Sequence, residues 1–75
     1  MKSYWNYRIV NDNGFYTIRE IYYNKNNRIE AISINPMHPS GTNPISIKED
    51  INLMLKAFDK PILTIQEINK QIKEK

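Results

Sequence analysis

The stretch NPMHPSGTNP at residues 35–44 divides the chain into two halves with different hydrophobic periodicity. It holds three of the four prolines, one of the two glycines and the single histidine of this 75-residue sequence. Because proline fixes φ and removes a backbone donor, neither a central strand nor a helix interior continues through such a segment. A connection between elements normally takes about two to six residues. We therefore expect this longer loop either to build a site or to carry the chain across the fold.

The residues before the loop show the alternation that is typical of β-strands. The stretches YWNYRIV, FYTIREIYY and RIEAISI are rich in β-branched and aromatic residues, and short turns separate them. In the first turn, Asn13-Gly14 suits the positive φ angles of a two-residue hairpin, and the asparagines of the second turn tolerate left-handed geometry. The pattern predicts a three-stranded antiparallel β-meander over residues 3–34.

After the loop the apolar residues recur at helical spacing. A capping box of Ser46 and Glu49 predicts the start of a main helix over residues 46–59, and Pro61 forbids its continuation. A second capping box at Thr64 opens a short helix over residues 64–73. The predicted apolar stripe of the main helix consists of Ile47, Ile51, Met54, Leu55 and Phe58, and that of the short helix of Ile65, Ile68 and Ile72.

The expected architecture is a single α+β domain over residues 1–75, in the order β-β-β-α-α. The meander packs against the main C-terminal helix and the short second helix as a two-layer sandwich, and residues 35–45 form the loop between the layers. Strand 3 has no assigned face, because its parity depends on the length of the second turn.

Composition excludes several kinds of site. The chain has no cysteine, which excludes disulfides and thiolate metal sites. One histidine makes a dedicated metal site unexpected, so we predict no metal and no cofactor.

Residues 1–10 lack the apolar run of a signal peptide, and no stretch approaches the roughly 20 apolar residues of a membrane helix. We therefore expect a cytoplasmic protein with no membrane partner. The abundance of Ile, Asn, Lys and Tyr indicates an A/T-rich genome, bacterial or phage.

A domain of this size buries only roughly 60% of the surface that its unfolded chain exposes. Without disulfides or metals, association with further copies of itself is the remaining means of stabilisation. The net charge of +3 is mild for a dedicated nucleic-acid binder.

Strand alternation divides the side chains of the first two strands between two faces of the sheet. One face contains Trp5, Tyr7, Ile9, Tyr16, Ile18, Glu20 and Tyr22, and the other contains Tyr4, Asn6, Arg8, Val10, Phe15, Thr17, Arg19, Ile21 and Tyr23. We expect the first, more apolar face to lie under the helices and the second to be uncovered. An exposed surface that mixes aromatic residues and arginine usually marks an interface.

Two interpretations of the second face remain open, and they are compatible with each other. In the first, a homodimer or larger oligomer forms through Phe15 and Ile21, with Leu53 of the main helix as a further contact. In the second, the face binds a ligand: Arg8 and Arg19 hold phosphates. Tyr4 and Tyr23 stack on a base.

The loop offers a second group of candidate ligand contacts, because small side chains and free amides at a helix start attract anions. These candidates are His38, Ser40 and Thr42. Glu20 lies mid-strand on the apolar face. It is a satisfied buried acid bonded to the hydroxyl of Tyr7 or Tyr16, a residue at the sheet margin, or a general base with a raised pKa.

These residues support three hypotheses. The chain has no nucleophile–base pair and no cofactor fingerprint, so we predict no catalytic residues and a non-enzymatic protein. The leading hypothesis is a phage-encoded binding protein that sequesters a phosphate-containing small molecule, such as a nucleotide signal, to counter host defence. The alternative is an inhibitor or adaptor that docks a host protein through the mixed sheet face, and a nucleic-acid binder is the third.

The stretches WNYRIV, IREIYY, NPMHPSG and MLKAFDKPIL together resemble a family of small uncharacterised bacterial and phage proteins. That family has a Y-R-V start, an E-V-Y-Y strand, a P-x-x-P-x-G loop and an M-x-x-A-x-x-K-P-V-L helix end. The resemblance covers most of residues 4–63, and the residues on the pattern are Tyr7, Arg8, Glu20, Tyr22, Tyr23, Pro36, Pro39, Gly41 and Pro61. Two features depart from it: Arg19 stands where histidine is expected, and the turns and tail rich in asparagine and lysine are particular to this chain. The resemblance implies a fold and a mobile-element setting, and it carries no activity.

Overall fold

The computed structural model of the protein describes residues 3–74, so the ends of the predicted domain at residues 1–2 and 75 lie outside it. It has an α+β fold, as predicted, and its first three strands form the predicted antiparallel meander. A short fourth strand pairs in parallel with the first, and the sheet order is β3-β2-β1-β4. The elements are β1 (Tyr4–Asp12), β2 (Phe15–Tyr23), β3 (Ile29–Ile32), α1 (Pro44–Leu55), a 3-10 turn (Lys56–Asp59), β4 (Leu63–Thr64) and α2 (Ile65–Lys73).

The two predicted turns are present, and each depends on left-handed backbone. Asn13 and Gly14 have φ angles of 55° and 95° and form the two-residue connection between β1 and β2. In the second turn Asn27 has a φ of 64°, while the Asn24 side chain accepts hydrogen bonds from the backbone N–H groups of Asn26 and Arg28. Asparagine tolerates this geometry and bonds to nearby backbone, so these residues determine both reversals of the chain.

An irregularity in β3 explains why its parity could not be read from the sequence. Ile32 pairs with Ile21, but after a register shift Ile29 pairs with Tyr23. The shift inserts an extra residue, as in a β-bulge, so that two isoleucines three positions apart face the same side of the sheet.

The helices lie on opposite faces of the sheet, which corrects the predicted two-layer arrangement and the expectation of an uncovered second face. On one side Met54 and Ala57 pack against Tyr7 and Ile9. On the other side α2 covers the second face, where Ile68 belongs to a buried cluster of Val10, Ile21, Tyr23, Ile29 and Ile68. The reason is β4: it pairs with β1 at the edge of the sheet, and from there the chain passes to the other face.

The first helix starts earlier than predicted. Its N-cap is Asn43, whose side chain accepts from the Ser46 N–H, while the Ser46 hydroxyl accepts from the Asn43 N–H. Ser46 is thus the third helical residue rather than the cap, and Pro44 occupies the first turn, where its missing N–H costs nothing. The α-helix ends at Leu55 and the predicted span to Asp59 is completed by the 3-10 turn. For α2 the predicted cap at Thr64 is confirmed, with Glu67 as its partner.

The long loop follows the free edge of β2 before it reaches α1. The backbone N–H groups of Ser33 and Met37 donate to the carbonyls of Glu20 and Ile18, which continue the line of β3. Met37 then packs beside the buried residues under α1. The loop therefore both covers part of the sheet and carries the chain to the helix layer.

Candidate functional site

Helix α1 contacts the sheet through a narrow strip and leaves most of its predicted apolar stripe in solvent. Only Met54, which is 5% exposed, is buried among the stripe residues, and Ala57 of the 3-10 turn is the other buried contact. The remaining stripe residues are Ile47, Ile51, Leu55 and Phe58, which we call the α1 row; they are 37%, 41%, 56% and 66% exposed. Their spacing of four, four and three residues places them along one side of the helix. The α1 row is therefore a set of partly exposed apolar side chains at helical spacing along α1 and the 3-10 turn.

A polar contact explains why α1 does not turn its apolar row onto the sheet. The Tyr7 hydroxyl donates to Asp50 Oδ1 at 2.6 Å, and the backbone N–H of Ser40 donates to Oδ2 at 3.1 Å. Asp50 lies one turn before Met54, so this bond and the packing of Met54 together set the rotation of the helix. Burial first, and then the hydrogen bond and charge of Asp50, raise the pKa of the Tyr7 hydroxyl above its ordinary value.

A cavity of about 160 Å³ lies beside α1, where the helix meets the start of β1. Its walls are formed by Trp5, Asn6, Tyr7, Leu53, Lys56 and Lys60. The rings of Trp5 and Tyr7 stand edge to face with centroids 5.1 Å apart. Trp5 and Leu53 each remain 45% exposed, so the cavity is open to solvent.

Arg19, a predicted ligand contact, is buried under the second face and makes several bonds within the protein. Its Nε donates to Thr17 Oγ1 at 3.1 Å, and its Nη1 donates to the carbonyls of Ser33 and Ile34 at 2.9 and 3.2 Å. The Asp12 carboxylate lies 3.7 Å from Nη2. At 8% exposure, this arginine holds the start of the long loop against the β1–β2 hairpin.

Arg8 lies opposite Arg19 in the register of β1 and β2, and its two Nη groups also bond within the protein, whereas its buried Nε has no hydrogen-bond partner among residues 3–74. Its Nη1 donates to the Tyr23 hydroxyl at 3.1 Å and its Nη2 to the Pro61 carbonyl at 2.7 Å. Tyr23 in turn donates to Asn6, and its ring stacks on Tyr4 with centroids 4.6 Å apart. The structure thus brings the predicted Arg8, Tyr4 and Tyr23 together, in a network that fastens the segment before β4 to the sheet. Phosphate binding there stays a prediction.

The predicted loop contacts His38, Ser40 and Thr42 are all exposed. The helix start beside them has few free donors, because Pro44 has no N–H and the Ser46 N–H is bonded to Asn43. The start of α1 therefore offers an anion fewer free backbone N–H donors than the sequence indicated.

The three predicted interface residues lie in different places. Ile21 is fully buried beneath α2, so the expectation that it lies on an exposed face is wrong. Phe15 is 72% exposed at the hairpin end of β2, and Leu53 lines the cavity.

Glu20 has a tyrosine partner, but a different one from either that the sequence suggested. It accepts a hydrogen bond from the hydroxyl of Tyr22, its neighbour on the same face of β2. This bond is the largest cause that raises the pKa of Tyr22.

The sequence pattern predicted that the whole apolar stripe lies against the sheet, but only Met54 of the stripe is buried. It missed the cavity, because Trp5 lies about fifty residues before Leu53, Lys56 and Lys60, and no sequence pattern joins them. The available signal was the helical spacing of Leu53 and Lys56, which places them on a side of the helix away from the stripe. Lys60 lies beyond the 3-10 turn, in extended backbone.

Among residues 3–74, no helix has both the length and the apolar character that crossing a membrane requires. No model of a protein family, no curated protein and no solved structure matches this chain.

Proposed function

We propose that this protein is a non-enzymatic protein-binding module that works as a homodimer joined through the α1 row. The observation that carries the proposal is the exposure of four large apolar side chains at helical spacing, three on α1 and Phe58 on the 3-10 turn that follows it. Scattered apolar residues on a surface need no explanation, but a contiguous set of this kind marks an interaction site.

A second copy of the chain is a suitable occupant of the α1 row. Homodimers form most often about a two-fold axis, which brings the same patch of each subunit together. Apolar residues spaced three and four apart pack between two helices as ridges into grooves. A standard interface takes about 800 Å² from each partner, which is about one-seventh of the 5447 Å² surface of this protein.

Light scattering coupled to size exclusion tests this proposal. We expect a mass of twice the 8.9 kDa of the chain at micromolar concentration. Ile51→Asp and Leu55→Asp should each weaken the dimer by about tenfold or more, because each side chain is about half exposed in the monomer and its burial is lost on both subunits. The matched control is Ile34→Asp, the same kind of change at a residue that is 89% exposed and outside α1. A monomeric wild type, or equal loss of the dimer in the control, would refute the proposal.

Nucleotide sequestration stays a prediction based on the residue types at Arg8 and Arg19. The internal hydrogen bonds of both arginines favour the dimeric module, because a phosphate would compete with bonds that the fold already makes. Calorimetric titration with mono-, di- and cyclic nucleotides tests sequestration directly. Nucleotide binding by the wild type that falls about tenfold or more in Arg8→Ala would support sequestration. A phage origin and a cytoplasmic location are predictions that the proposed function does not need.

A further inference from the structure

We infer that the cavity beside α1 receives an aromatic side chain flanked by carboxylates, presented by an acidic segment of a partner protein. The inference rests on the proposed protein-binding function and names the chemistry of the partner. The cavity is separate from the α1 row: Leu53 and Lys56 lie on a side of the helix that the row does not include.

The size and walls of the cavity fit one aromatic ring. Its volume of about 160 Å³ is close to the roughly 150 Å³ at which an apolar cavity in a protein takes up benzene. The edge-to-face pair of Trp5 and Tyr7 forms part of the apolar wall, and Leu53 forms the wall on the side of the helix. Aromatic side chains that fill such pockets supply much of the energy of protein interfaces.

The charge around the cavity indicates an acidic partner. Both charged residues in its lining, Lys56 and Lys60, are basic, and the lining contains no carboxylate. Among residues 3–74 neither lysine forms an ion pair; the ion pairs there join Arg19 to Asp12 and Arg28 to Glu74. Lysine stems pack along apolar walls while the ammonium groups stay in water, where they meet carboxylates of a docked segment at the rim.

Trp5 provides a direct readout, because it is the single tryptophan of the chain and forms part of the cavity wall. The probes are three blocked tripeptides, Ac-Glu-Phe-Glu-NH2, Ac-Glu-Ala-Glu-NH2 and Ac-Lys-Phe-Lys-NH2, together with phenylacetate as a free aromatic acid. We expect a saturable change in Trp5 fluorescence with the first peptide. Binding of each of the other two peptides should be weaker by about tenfold or more, since one lacks the ring and the other repels the lysines.

The lysine variants test the charge argument. Lys56→Gln and Lys60→Gln should each weaken binding of Ac-Glu-Phe-Glu-NH2 by up to about fivefold, the range of a solvent-exposed ion pair. Lys48→Gln is the matched control, since Lys48 lies on α1 outside the cavity lining, and it should bind like the wild type.

No saturable response to Ac-Glu-Phe-Glu-NH2, equal binding of the lysine-containing peptide, or equal loss in Lys48→Gln would overturn the inference. So would a response to phenylacetate alone, which would make the cavity a small-molecule site. Light scattering separates this result from the proposed function. A dimer without a peptide response refutes the cavity inference alone, and a monomer with a peptide response refutes the dimer alone.

Discussion

Asp50 joins three parts of the protein that are distant in sequence. Its carboxylate belongs to α1, accepts from the Tyr7 hydroxyl on β1, and accepts from the Ser40 backbone in the long loop. A tyrosine hydroxyl that is buried beside a carboxylate keeps its proton, because burial and the negative charge both oppose the phenolate. This one contact therefore links the placement of the helix and of the loop to the protonation of Tyr7.

The raised pKa of Tyr7 makes part of the stability pH-dependent. A group whose pKa is higher in the folded state stabilises the fold fully below its unfolded pKa of about 10, and that stability is lost as the pH rises through the folded pKa. In Tyr7→Phe this loss is absent. We expect the free energy of unfolding, measured by urea denaturation from pH 8 to about 11.5, to fall more steeply in the wild type than in Tyr7→Phe. Parallel slopes would contradict this assignment.

The long loop and the start of α1 are built as one unit. Gly41 lies so close to the first turn of the helix that a Cβ there would collide with Ser46 Oγ and come within 2.8 Å of the Ile47 backbone nitrogen. Ser46 is also the residue that completes the capping box with Asn43. The glycine is therefore required for the close approach of the loop to the helix.

Gly41→Ala should destabilise the protein by about 1–3 kcal/mol, the usual cost of forcing an extra group into a packed position. The measurement is the free energy of unfolding by urea denaturation. Ser40→Ala is the matched control from the same loop, because Ser40 is exposed and its bond to Asp50 comes from its backbone. If Gly41→Ala is as stable as the wild type, the loop moves aside without cost and the glycine is not required.

The assembled protein has a small core on each side of its sheet. One cluster lies between the sheet and α2, the other between the sheet and α1, and each contains only a few buried residues. A division of this kind leaves each helix with limited apolar contact, and the residues of the α1 row remain 37% to 66% exposed. Dimerisation through the α1 row would add buried apolar surface on the side of the sheet where α1 lies, which has the smaller of the two clusters.

If the proposed dimer forms, thermal stability must depend on protein concentration, because association stabilises the folded state by mass action. We expect Tm of the wild type to rise by several degrees across a hundredfold increase in concentration, about 5 to 500 µM. Leu55→Asp should show no such rise. A Tm for the wild type that does not change with concentration would count against association through α1.

The candidate site was only partly accessible from sequence. Helical spacing predicted one apolar stripe of Ile47, Ile51, Met54, Leu55 and Phe58, but Met54 is buried whereas the other four residues are at least 37% exposed. It could not predict that they stay exposed, because that depends on the bond between Tyr7 and Asp50, whose residues are 43 positions apart. The arginines illustrate the same limit: their residue type indicated a phosphate, while the fold gives them carbonyl partners.

Local chemistry in the sequence was enough to predict three strands and two helices, but it missed β4 and the start of α1 at Pro44. Asn13-Gly14 specifies a hairpin and Thr64 with Glu67 a helix start, since each depends on residues within one turn of each other. The faces of the sheet were decided by contacts between distant residues: β4 beside β1, α2 on the second face and the register shift in β3. Periodicity assigns a side chain to one of two faces but carries no information on which face is covered, because coverage depends on where the rest of the chain folds back.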